Sequence, residues 1–517
     1  MLRKIARVSL AVTLLAVAGW TPIHSQELGS ITFPTSGAPA AQAAFLEGVK
    51  DLHSFQFDEA ADAFHRAQKA DPNFVMAYWG EAMSYNHPLW AQQDPEAAKK
   101  TLEKIAPTLD ARVARASLPK EKAYLRAINQ LYYAPGDKLA RDLAYSDAMA
   151  QMYAQWPEDH EVATLYALSL LGTVRPTDKG FRRQALAASI VEKVYKENPK
   201  HPGAAHFIIH AFDDPDHAPL ALPAARAYAG IAPSAAHALH MPSHIFVQMG
   251  MWPDVRTSNI AAYKAASELN TRMKLAEGRE DFHTLGWLTY ANLMMGNVDE
   301  AKQNVELAKQ AADRNPANRG IRDGYLGMRA RLILETGKWE KIPLDAPAAA
   351  AADPAHAAMP GMPGMAMPGY GGSNTWTFIA GYSAAKLGDY ATADAAEAQL
   401  RAAREKLQSG ATAPASKSIA ILEKELGAVS RFGRGQKDEA LKLAKEAMEI
   451  ELDGPAPSGP PDPIKPATEL YGELLLDAGR AAEAAKVLDL SLQRTPNRTP
   501  SVKAMQRARA AATSMGR

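Results

Sequence analysis

A pattern of small, bulky and proline residues that returns about every 34 positions constrains this chain more than any other feature. Residues 44–72 read AFLEGVKDLHSFQFDEAADAFHRAQKADP, with Gly48, Ala60, Phe64, Ala67 and Pro72 at the spacing of two antiparallel helices in one unit. Gly48 and Ala60 are small where the helices touch, and Phe64 fills the gap beyond them. Pro72 stops the second helix because it has no amide hydrogen to continue the ladder. Pro199 and Pro233 bracket another unit, 34 residues apart. Gly250, Gly296, Gly388, Gly435 and Gly479 stand where the helices of later units turn. Ala301, Val305 and Ala308 keep the register, as do Ala440, Ala444 and Ala447, and again Gly472, Ala484, Leu488 and Pro496.

This repeat predicts an all-α, tetratricopeptide-type solenoid, a superhelix of helical hairpins. A chain of 517 residues is too long for one compact core, and an extended array accommodates it. The array covers 26–341 and 374–517. Between them lies IPLDAPAAAAADPAHAAMPGMPGMAMPGYGGS, whose Ala/Pro/Gly/Met composition builds no packed repeat, so 342–373 reads as a linker or loop. By register, about a dozen extra residues separate two units around 267–280. A lesser Pro-rich break spans 454–466.

The first residues, MLRKIARVSLAVTLLAVAGW, carry Arg3, Lys4 and Arg7 and then an apolar run, Val8 to Ala18. That is the layout of a secretory signal peptide. Residues 1–25 are therefore expected to be removed and the protein to be periplasmic or secreted; the alternative is a retained N-terminal anchor. The run is short for a membrane span, and no later stretch is long enough, so no integral span is expected. The 58 Lys and Arg against 57 Asp and Glu, net +1, provide no basic surface for nucleic acid. With no cysteine, any metal site must be built from His, Asp, Glu, Met or backbone.

Seven of the fourteen histidines lie between His201 and His244. If Pro199 and Pro233 close successive units, new first helices begin at Pro202 and Ala236. His206 and His210 then hold the fifth and ninth positions of one helix, and His240 and His244 hold the same positions 34 residues on. His237 takes the second position of that later helix, and His283 the second position of a third helix beginning near Phe282. In this architecture those positions line the concave surface, and positions four apart lie about 40° apart around a helix. Histidines at i and i+4 present two nitrogens to Zn²⁺ or a similar ion, with Asp completing or orienting the shell.

The expected metal set is thus His206, His210, His237, His240, His244, His283 and Asp213, holding one or two divalent transition-metal ions, Zn or Cu. The alternative is a polar groove of packing and hydrogen-bonding histidines, or a peptide-binding surface. On an open concave face, replacing His206 and His240 with Ala would remove metal binding without touching helix packing. Affinity would fall below about pH 6.5 as free imidazole protonates. In the loop, His356, Met359, Met362, Met365 and Met367 space soft ligands that suit Cu(I), so an auxiliary copper loop stands beside a plain linker as a reading. Trp79 and His87 can extend the groove, against a default of core packing. His65 and His160 stand alone. The chain has no Gly-rich phosphate loop, no Gly-x-Ser-x-Gly elbow and no HExxH.

Three stretches resemble a family of exported bacterial tetratricopeptide proteins of largely undefined role: LHSFQFDEAADAFHRAQKADPNFVMAYWGEAMSYNHPLW, HFIIHAFDDPDHAPLALPAARAYAGIAPSAAHALHMPSHIFVQMGMW and FHTLGWLTYANLMMGN. The resemblance implies the solenoid and export. That family commonly carries an acidic residue three after the histidine of the last motif, where this chain has Gly286. The functional expectation is an exported scaffold with a His-rich metal site and a peptide, protein or small ligand in its groove. The alternatives are a metallohydrolase using Asp213, Asp214 or an unligated histidine as base, and a metal-free interaction scaffold.

Overall fold

The computed structural model describes residues 27–175, 178, 180–275, 277–278, 280–345, 372–407 and 413–515. The expected leader at 1–25 lies outside the described residues, as do His356, Met359, Met362, Met365 and Met367. Among the described residues the chain is a run of α-helices packed as hairpins, each helix against its neighbours in sequence. It is an all-α solenoid of the tetratricopeptide type. No described helix is long and apolar enough to cross a membrane.

The first hairpin joins helix Pro39–His53 to helix Phe57–Ala70. A Cβ added at Gly48 would stand 2.9 Å from the Phe64 ring, and one at Gly80 only 2.3 Å from it, so one phenylalanine occupies the space two glycines leave. Gly250, Gly296, Gly388, Gly435 and Gly479 all adopt positive φ at their turns, the conformation glycine alone takes without steric cost. The extra residues before Glu280 are absorbed in part by lengthening helix Trp252–Met273 to 22 residues, against 14 in Ala218–Ile231. One two-stranded ladder interrupts the helices, pairing Asn86–His87 with Gln92–Gln93. Trp79 is core, and His87 is buried against Phe57, so neither extends a groove.

The array is not open at its ends. Near the start, Ser30 donates its amide to the carbonyl of Lys200 at 2.9 Å, and Glu27 donates to Ser234 Oγ at 2.9 Å. Near the other end, Trp252 Nε1 donates to the carbonyl of Asn497 at 2.9 Å, and Thr499 Oγ1 to that of Met294 at 2.5 Å. One apolar cluster runs from Leu28 to Met328 and a second from Leu326 to Ala508, meeting on helix Arg319–Thr336. Both termini of the described array thus fold back onto its middle, where the histidines are.

Candidate metal centre

The site is built on three successive first helices. Helix Pro202–Ala211 carries His206 and His210. The next is broken by Pro242, which lacks the amide hydrogen for the ladder, into Ala236–His240 and Pro242–Gln248. It carries His237, His240 and His244, and Glu280–Met295 supplies His283.

These six side chains gather as two triads, His206/His210/His237 and His240/His244/His283, each able to offer nitrogens within 4.8 Å of one another. The second repeats the first one unit along: fifth and ninth positions of one helix, second position of the next. His206 Nε2 lies 3.0 Å from His210 Nε2. His240 Nε2 lies 3.2 Å from His244 Nε2 and 2.8 Å from His283 Nε2.

The opposite ring edges fix the tautomer that three of these histidines adopt when neutral. His206 Nδ1 is 2.6 Å from the carbonyl oxygen of His53, which can only accept, so Nδ1 carries the hydrogen. His240 Nδ1 is 2.7 Å from Asn259 Oδ1, whose own amide nitrogen donates to the carbonyl of Val255 at 2.8 Å. His244 Nδ1 donates to Asp213 Oδ2 at 2.7 Å. In the neutral rings, each of these Nε2 atoms therefore presents a lone pair toward its neighbours. Burial pushes His206, His210 and His240 well below the ordinary 6.5, and the surrounding imidazoles push the same way. Proton competition at those three nitrogens begins lower than free imidazole predicts.

Asp213 stands behind a ring, orienting His244, and is not among the converging nitrogens. Gln248 Nε2 donates to Asp213 Oδ1 at 3.2 Å and to the carbonyl of Pro457 at 2.9 Å, so the Pro-rich break reaches this shell. Trp287 closes the same side, its ring 4.5 Å from that of His244, and Gly459 packs so tightly on Trp287 that a Cβ would come within 2.5 Å. Asp214 holds His217 through Nδ1 at 2.8 Å, so both carboxylates considered as bases are engaged.

The open concave face expected from the repeat is corrected here. His206 and His240 are completely buried and His237 nearly so, while His210, His244 and His283 are half-buried. The reason is the closure of the array: helix Pro39–His53 and Phe55 cover this face, with the Phe55 ring 4.4 Å from His206. Replacing His206 with Ala would therefore open a cavity as well as remove a nitrogen.

A third cluster escaped sequence reasoning. His53, Glu161 and His201 are fully buried together, with His53 Nε2 2.7 Å and His201 Nε2 3.2 Å from the Glu161 carboxylate. Burial alone would raise Glu161, but the two imidazoles bring it down to about 2. His201 Nδ1 accepts from the amide of Ala204 at 3.2 Å, so its Nε2 carries the hydrogen and donates to Glu161. Gly203 is small because a Cβ there would stand 2.4 Å from His53 Nδ1. The cluster is satisfied within itself, and it sets the His53 carbonyl that orients His206.

No protein-family model matches the chain, and no curated protein matches it in sequence. Among solved structures, yeast Tom70 is 10% identical over 92% of this chain and 89% of its own, with a TM-score of 0.32. The Cut9–Hcn1 heterotetramer of the APC/C gives 10% over 92% and 78%, TM-score 0.35. A human IFIT1 dimer with m7Gppp-AAAA gives 13% over 93% and 91%, TM-score 0.34. The fold assignment rests on the hairpin register within this chain.

Proposed function

We propose that this protein is an exported tetratricopeptide-type scaffold that holds two transition-metal ions, one on each histidine triad, and presents the surrounding repeats to a protein or peptide partner. The observation that carries this reading is the His240–His244 pair, whose Nδ1 edges are committed to Asn259 and Asp213 so that two Nε2 lone pairs face each other at 3.2 Å, inside a set of six histidines gathered as two triads. Neutral lone pairs this close repel unless a proton or a cation lies between them, and burial disfavours the proton. Zn and Cu suit a purely imidazole set, and the carbonyl, amide and carboxylate behind the rings are the outer partners that metal-bound histidines use. The methionine-rich segment would add auxiliary Cu(I) capture after removal of the leader.

Because His206 and His240 are packed in the core, the half-buried His210 and His244 are the residues to change. Chelator-treated protein titrated with Zn²⁺ should bind two equivalents. Free Zn²⁺ at roughly 100 times its Kd should add about 2.7 kcal/mol to stability. A variant carrying His210→Gln and His244→Gln should lose both effects while keeping its circular dichroism. If that variant still takes up two equivalents with unchanged affinity, the triads are packing residues and the metal reading fails.

A further inference from the structure

The two triads are not independent in space. They share one short helix, Ala236–His240, with His237 in the first triad and His240 three residues on in the second. Their nearest rings, His237 with His240 and His210 with His244, have centroids 6.2 Å apart. Ions held by these nitrogens would be neighbours.

The charge balance there is unusual. Every ligand atom in both triads is an imidazole nitrogen, so neither triad contributes a negative charge. Two divalent ions would bring four positive charges into a place where His206 and His240 are wholly screened from solvent. Asp213 offsets one of them, and only from behind the His244 ring. The Glu161 carboxylate is already engaged by His53 and His201. Three protein ligands also leave each ion short of a four-coordinate shell. One kind of ligand reduces the charge deficit and fills the open coordination position on each ion: a small anion bound to both.

We propose that the triads form a single dinuclear centre that takes a small inorganic anion as a bridge, hydroxide in the resting protein and exchangeable for anions of similar size. This rests on the metal reading above and adds to it the class of exogenous ligand. The Trp287 and Phe55 rings packed on His244 and His206 narrow the space beside these histidines and exclude bulky anions.

The test uses Co²⁺ and azide on the full chain. With two Co²⁺ bound, bridging predicts magnetic coupling, seen as loss of the isolated high-spin signal in electron paramagnetic resonance. It also predicts one azide bound for every two Co²⁺. His210→Gln, which damages the first triad alone, should leave one Co²⁺ bound, restore the isolated signal and abolish azide binding at the concentrations that saturate the wild type. Two Co²⁺ with two uncoupled signals, or azide binding at one per ion, would overturn the bridge and leave the metal reading intact. Failure to bind Co²⁺ at all would overturn both. If His210→Gln does not fold, the coupling and the azide stoichiometry of the wild type decide the matter.

Discussion

His65 and Glu81 illustrate what single residues can reveal only after folding. His65 looked isolated in sequence, yet its Nε2 lies 3.0 Å from Glu81 Oε1. Glu81 also accepts from Gln68 at 2.6 Å and from Thr101 at 2.7 Å. Burial would raise Glu81, but His65, Gln68 and Thr101 hold it down at about 2, and the hydrogen bond to Glu81 raises His65 above 6.5. The two shifts have opposite linkage. The Glu81 contribution is complete above its ordinary 4.5 and is lost as pH falls toward 2. The His65 contribution is complete below 6.5 and is lost as pH rises through its raised value. Thermal unfolding of the wild type and of Glu81→Gln should therefore differ most in the mildly acidic range, with the gap narrowing below pH 4.5 and again above neutrality. A gap independent of pH would mean the pair is not an ion pair in solution. Six candidate ligands were legible because a repeat puts equivalent residues at equivalent positions. His53, Glu161 and His201 were not, since Glu161 is 108 residues from one partner and 40 from the other, and no spacing rule links them.

Helices and their turns were the most legible level, because each hairpin is specified by contacts inside about 34 residues. Phe64 is the clearest case: fully buried, 5.8 Å from the Phe45 ring and seated against Gly48 and Gly80 from two successive units. Phe64→Ala empties that shared space, and the two glycines that border it offer no side chain to fill it. The expected cost is about 3–5 kcal/mol, read as a lower urea midpoint for the N-terminal repeats by far-UV circular dichroism. An unchanged midpoint would show that the first hairpin does not depend on this packing. The ladder at Asn86–His87 and Gln92–Gln93 was not foreseen, for two residues per strand leave no alternation to read. The break at Pro242 was visible as a proline, but its effect was not: it splits the helix between His240 and His244 while their Nε2 atoms still come within 3.2 Å.

Closure of the whole array was illegible, because its contacts join residues too far apart to leave a periodic trace. Arg498, fully buried just before the last helix, Thr499–Met515, is its central tie at the C-terminal end. Its guanidinium donates to Glu469 and Glu335, each at 2.8 Å, and to Tyr290 Oη at 3.2 Å, reaching back across 208 residues. Burial works against the charges, yet Glu469 is drawn down to about 2 by Arg498 and Lys465, so both carboxylate and guanidinium stay ionised inside the protein. Such a pair adds little to net stability over an apolar filling, but removing one partner strands the others. Arg498→Met should therefore cost about 3–5 kcal/mol, because Glu335 and Glu469 would remain buried with their main cation gone. Arg498→Lys should recover only part of this, since a single ammonium cannot serve two carboxylates and a phenol with the geometry of a planar fork. The loss should be local to the closure. Amide hydrogen exchange is expected to accelerate across 290–294 and 331–335 and in the last helix, while helices Pro39–His53 and Phe57–Ala70 keep wild-type protection. If exchange instead quickens evenly through all repeats, the array unfolds as one unit and the tie at Arg498 is not what separates its end from its middle.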